Sequence, residues 1–172
     1  PISVARHKMR VLLNQKQYSL PSNLRKLPFT DKAISVWDMP LQGKLRFGVL
    51  VFKLKRDMVD FLSGVFGMPR REANRRGALA VTTTCGCVGR TEDGRTVFCV
   101  DPSFFSIIVF VKPFISIETV AHEACHAAFD YAARAKSKKA WPDGDDDQET
   151  ICYPTGIITE AILGAFKEDG LL

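Results

Sequence analysis

A chain of 172 residues is long enough for one domain with a real hydrophobic core, with at most an arm added to it. Its 46% hydrophobic and 25% charged residues are ordinary globular material, and no run of 18 or more uncharged apolar residues exists, which excludes a membrane-spanning helix. The formal net charge of +5 is unevenly spread: residues 1–77 carry 16 Lys/Arg against 5 Asp/Glu, about +11, and residues 78–172 carry 8 against 14, about −6.

In chain order, residues 1–44 read as a basic, loop-rich N-terminal arm. Val4–Gln17 could form a short basic helix, and Leu20–Gly43, punctuated by Pro21, Pro28 and Pro40, reads as an extended wrap. The N-terminus is basic and has no apolar h-region, so no secretory signal is expected there, and Pro1 fits removal of an initiator methionine. Leu45–Leu54 reads as a strand. Asp57–Phe66 reads as a helix closed by Gly67-Met68-Pro69, and Arg70–Arg76 as a second, polar helix ended by Gly77. Three strand-like stretches follow, Ala78–Val88, Arg95–Val100 and Ile107–Val111, with Gly89 and Asp93-Gly94 suggesting a hairpin between the first two.

No Pro or Gly interrupts residues 116–137, and Ile117, Val120, Ala121, Ala124, Ala128, Phe129 and Ala132 recur at helical spacing. Ser116 is positioned to cap that helix, and Glu118 complements its positive end. After the acidic run Asp143–Glu149, with Asp145, Asp146 and Asp147 reading as a solvated loop, residues 150–166 are apolar. Ile157, Ile158, Ala161, Ile162, Ala165 and Phe166 form the buried stripe of a second helix. The fold expected is α+β: a small twisted, mostly antiparallel sheet packed against two helices, with residues 45–172 as the compact domain.

The chemistry is concentrated in the first of those helices. His122-Glu123-Ala124-Cys125-His126 is an H-E-x-x-H sequence. Histidines four apart lie one turn apart on one helical face, so both imidazoles can reach one Zn²⁺, and Glu123 can take a proton from a metal-bound water. A catalytic zinc needs three protein ligands and one open position. A metzincin would place glycine and histidine where this chain has Phe129 and Ala132, and the remaining histidine, His7, lies in an unpatterned basic segment. A carboxylate is therefore expected. Glu149 heads the second helical run and could point at the metal. Tyr153 is followed by Pro154, which leaves two geometries: either Glu149 sits in a first turn that continues through the proline, or the helix starts at Pro154 and leaves Glu149 in the loop. In the second, Asp147, Asp146 and Glu160 are the replacements.

The order HEACH, then Glu149 opening the next helix, resembles the gluzincin branch of zincin metallopeptidases. The run HEACHAAFDY (residues 122–131) is similar to the active-site helix of thermolysin-type enzymes, and the short helix–loop–helix order is more similar to minimal gluzincins of bacterial and phage proteins. The resemblance covers about the last third of the chain. It implies His122, His126 and Glu149 as zinc ligands, Glu123 as general base, and Asp130 as a carboxylate able to orient an imidazole. Thermolysin-type enzymes carry an aspartate one turn past the glutamate, where this chain has Tyr153.

The function expected is a zinc-dependent metallopeptidase that hydrolyses protein or peptide substrates through a zinc-bound water activated by Glu123. Tyr153 and Tyr131 are candidate donors to the oxyanion, and an extended substrate would lie along a sheet edge supplied by Cys99–Asp101 or Ile107–Val111. The competing reading is a non-catalytic protein on a zincin scaffold, engaging nucleic acid or an acidic protein through the basic residues 1–77; sparse aromatics there argue against base stacking. DNA-associated zincins of the Spartan/SprT type combine the motif with basic surfaces but use a third histidine. Five cysteines, an odd number, read as free thiols in a reducing cytoplasm, of a bacterial cell or of a phage host, with Cys125 packed as a small apolar residue. Cys85-Gly86-Cys87 lacks the spacing of a zinc ribbon.

Overall fold

The computed structural model describes residues 27, 29–42, 45–76, 80–84, 103–135 and 149–172. The helix expected at Val4–Gln17, the strand at Arg95–Val100, the hairpin turn at 88–95, Cys85, Cys87 and Cys99, His7, and the acidic residues Asp145–Asp147 lie outside them.

Strands β1 (Ala33–Gln42) and β2 (Leu45–Phe52) form an antiparallel pair; helices α1 (Lys55–Phe66) and α2 (Arg70–Arg76) follow. Then come β3 (Ala80–Thr84), β4 (Phe104–Val111), α3 (Ile117–Ala135) and α4 (Glu149–Glu168). The sheet order is β1-β2-β4-β3, with β2 and β4 parallel and β3 antiparallel to β4. The architecture is thus α+β with a mixed four-stranded sheet and four helices among the described residues.

The two central strands explain the layering. β4 is buried at every position, and β2 from Phe47 onward, which is why FFSIIVFV and FGVLVF read as apolar runs rather than alternations. Phe47, Val49, Val51, Ile108 and Phe110 face α3 and α4, whereas Leu50, Phe52, Ile107, Val109 and Val111 face α1. Helices therefore cover both faces, not one. A register shift in the β2–β4 pairing, where Arg46 meets Phe104 and Phe47 meets Ser106, puts Phe105 on the same side as Ile108 and Phe110 and leaves Ser106 fully buried.

Residues 33–42 are not part of a loop-rich arm. They form a ten-residue strand, and Met39 and Leu41 enter the core. Pro40 disguises it. β1 is the outer strand on its side of the described sheet, the place in a sheet where proline is tolerated. The end of α4 clamps this strand: Asp169 accepts hydrogen bonds from Ser35 Oγ and, at 3.0 Å, from Trp37 Nε1. α1 ends as expected, with Gly67 at φ 65° and its N–H on the Leu62 carbonyl. Gly64 faces the Phe29 ring so closely that an added Cβ would overlap it.

Candidate metal centre

α3 begins where the sequence places it. Ser116 Oγ accepts the Thr119 N–H at 3.1 Å, an N-cap, and Glu118 is held below the usual glutamate range by its own backbone N–H and by Ser116. Its buried residues are Val120, Glu123, Ala124, Ala127, Ala128, Tyr131, Ala132 and Ala135. Of the residues expected on the apolar face, Ala121 is half-buried and two lie outside it, Ile117 being 63% and Phe129 58% exposed. At about 100° per residue, His122, His126, Phe129 and Ala133 fall within roughly 60° of arc. That stripe is exposed. Cys125 is a free thiol at the margin, half-buried rather than in the core.

The two histidines converge. Their Nε2 atoms lie 3.2 Å apart, with ring centroids 4.8 Å apart and ring planes crossing at 79°. Two ring nitrogens at that distance repel each other unless a proton or a cation sits between them. In the metal-free chain one Nε2–H can donate to the other Nε2. A tetrahedral zinc at 2.0–2.1 Å from each nitrogen needs them about 3.3 Å apart, so the donor type and separation fit that ion.

Glu123, next along the helix, reaches toward the sheet. It is 6% exposed, and its Oε2 accepts a 2.6 Å hydrogen bond from Thr82 Oγ1 on β3. A second carboxylate of the helix is held similarly: the fully buried Ser106 hydroxyl lies 3.1 Å from Asp130 Oδ2 and 3.1 Å from the Thr83 carbonyl oxygen. Thr82 and Ser106 were not among the residues singled out from sequence. The polar run Thr82–Thr84 beside apolar strand residues was the available signal, since a threonine facing a helix through a sheet needs a partner.

α4 starts at Glu149 and runs through Pro154, so the geometry that leaves Glu149 in the preceding loop does not occur. Proline removes one backbone donor; next to it, Thr155 Oγ1 donates to the Ile151 carbonyl at 2.7 Å. Tyr153, 37% exposed, lies one turn after Glu149. Tyr131 is unsuitable as an oxyanion donor: it is 1% exposed, packed edge-on against Phe105, and burial raises its hydroxyl pKa. Among the described side chains, which do not include that of Glu149, no group of three His, Cys, Asp or Glu is placed to hold a metal ion. Glu160, exposed on α4, therefore does not complete the pair. Among the described strands the outer one beside α3 is β3, not Ile107–Val111, which lies in the central strand β4.

The basic half carries exposed Lys53, Arg56, Arg71 and Arg75, but acidic residues interrupt it. Asp60 pairs with Arg70 at 2.7 Å and Lys32 at 3.4 Å, and Asp57 with Arg56 at 3.7 Å. Burial raises the Asp60 pKa, yet Arg70 and Lys32 together bring it below the usual aspartate value. No described helix is long and apolar enough to cross a membrane. No protein-family model, curated protein or solved structure matches the chain.

Proposed function

We propose that this protein is a zinc-dependent peptidase of the minimal gluzincin kind. His122, His126 and Glu149 are its ligands and Glu123 its general base. One observation carries the reading: two exposed imidazoles aim their Nε2 atoms at each other 3.2 Å apart, beside a buried carboxylate one residue along the same helix. A helix that only needed to pack would have little reason to bury a glutamate or to leave two histidines and Phe129 in water.

Zinc, when bound, supplies a Lewis acid that acidifies water and polarises a carbonyl. The chain's own groups do the rest. Glu123 takes a proton from the attacking water and returns it to the leaving amine. Tyr153, exposed near the start of α4, donates to the developing oxyanion. Asp130, which the Ser106 hydroxyl engages from the sheet, is the carboxylate that would orient an imidazole.

The test is metal content beside turnover. Wild type should retain one zinc per chain after dialysis, and His126→Ala and Glu149→Ala none. Glu123→Gln should retain zinc but lose hydrolysis of quenched fluorescent casein by about 10²–10⁴-fold. A wild type that binds no zinc, or a Glu123→Gln variant that cleaves casein normally, overturns the reading. Zinc retained by Glu149→Ala removes that residue alone.

A further inference from the structure

We infer that Thr82 is a positioning residue for Glu123: its hydroxyl engages Oε2 and so reserves Oε1 as the atom that takes the proton. This rests on Glu123 being the general base.

The geometry is local and specific. Thr82 Oγ1 lies 2.6 Å from Glu123 Oε2 and 3.1 Å from the Glu123 carbonyl oxygen. A hydroxyl has one proton to give. The carboxylate is the nearer acceptor and, when ionised, the stronger one, so the proton goes to Oε2. Oε2 is the oxygen that Thr82 holds, and no hydrogen bond among the described residues engages Oε1.

The donor is rigidly mounted. Thr82 pairs with Ile108 in the β3–β4 ladder, and Ile108 is fully buried against the α3 layer. A glutamate side chain turns about three bonds, and a free one would spread its carboxylate over several positions. Held at one oxygen by a strand, it presents the other along a fixed line, which is what a proton acceptor requires. Thr82 touches no reacting atom in this scheme; it acts through Glu123.

The test uses the zinc-loaded full chain as wild type, Thr82→Val, Thr82→Ser and Glu123→Gln, with quenched fluorescent casein as substrate and bound zinc measured in each. Thr82→Val should keep one zinc, lower kcat about 10–100-fold with KM little changed, and Thr82→Ser should restore most of the loss. A second readout needs no turnover: the ¹³C resonance of the Glu123 carboxyl in metal-free protein should move in Thr82→Val and return in Thr82→Ser. If that resonance stays in place, or if Thr82→Val matches the wild-type kcat while Glu123→Gln is inactive, the positioning role falls and the peptidase reading stands. If wild type and Glu123→Gln are equally inactive, the peptidase reading falls and this inference with it.

Discussion

The two helical layers on the sheet are built by different rules. α1 buries five residues, Met58, Val59, Phe61, Leu62 and Val65, all apolar, and keeps its charges on the outside, where Asp60 meets Arg70 and Lys32. α3 buries eight residues and one of them is Glu123, while the sheet beneath it supplies the hydroxyls of Thr82 and Ser106. Removing a carboxylate from water is costly unless hydrogen bonds replace the solvent. On the α1 side stability comes mainly from apolar area. On the α3 side part of the interior is given over to polar groups that hold one another, and the exposed face of the same helix carries the paired histidines. The contrast is what supports placing the proposed chemistry on α3.

The comparison can be pressed by mutation. Phe61→Ala should have the largest effect, because that ring is fully buried and packs against both Phe52 and Phe66. A loss of about 3–5 kcal/mol in urea unfolding is expected, with zinc content of the folded fraction unchanged. Loss of zinc from the folded fraction would show that the two layers are coupled rather than distinct.

Ser106→Ala removes the hydroxyl beside Asp130 Oδ2 and should cost about 1–3 kcal/mol, since the site is buried and the carboxylate loses a donor. A neutral result would mean that Asp130 does not depend on the sheet. Arg70→Ala should cost less, under about 1 kcal/mol, because the Arg70 side chain is 67% exposed and its partner Asp60 retains Lys32. A larger penalty would contradict the view of the α1 side as held by apolar packing.

The smallest effect is its pH dependence. The Asp60 pKa is lowered in the folded chain, so its stabilising contribution is present at neutral pH, above the unfolded value, and is lost as pH falls through the folded one. The stability difference between wild type and Arg70→Ala should therefore shrink in acid, as measured by unfolding at matched ionic strength. A difference that grew on acidification would reverse the assigned sign.

Much of the framework was legible from local pattern. The helix at 55–66 with its Gly67 stop, the helix at 70–76, the strand at 45–52 and the long helix from Ile117 with its Ser116 cap follow from periodicity and end signals that act within a few residues. The spacing of His122 and His126 likewise guaranteed that they share a helical face, whatever surrounds the helix. Other features needed partners distant in the chain. β1 is a strand because β2 pairs with it, although Pro40 argues against one locally. Phe129 looked like a core residue by type but lies on the histidine face, because the sheet and α4 cover the opposite side of α3.

The amino-acid order by itself determined which side chains could serve a metal and a proton transfer, since a helix places residues four apart together regardless of context. It also determined the two central strands, whose largely apolar runs only an interior can accommodate. Only the tertiary structure decided which way the helix faces. It turned Glu123 inward to Thr82, some forty residues earlier in the chain, and the histidines outward, because a hydroxyl on one strand can select a carboxylate on a helix only after sheet and helix have packed.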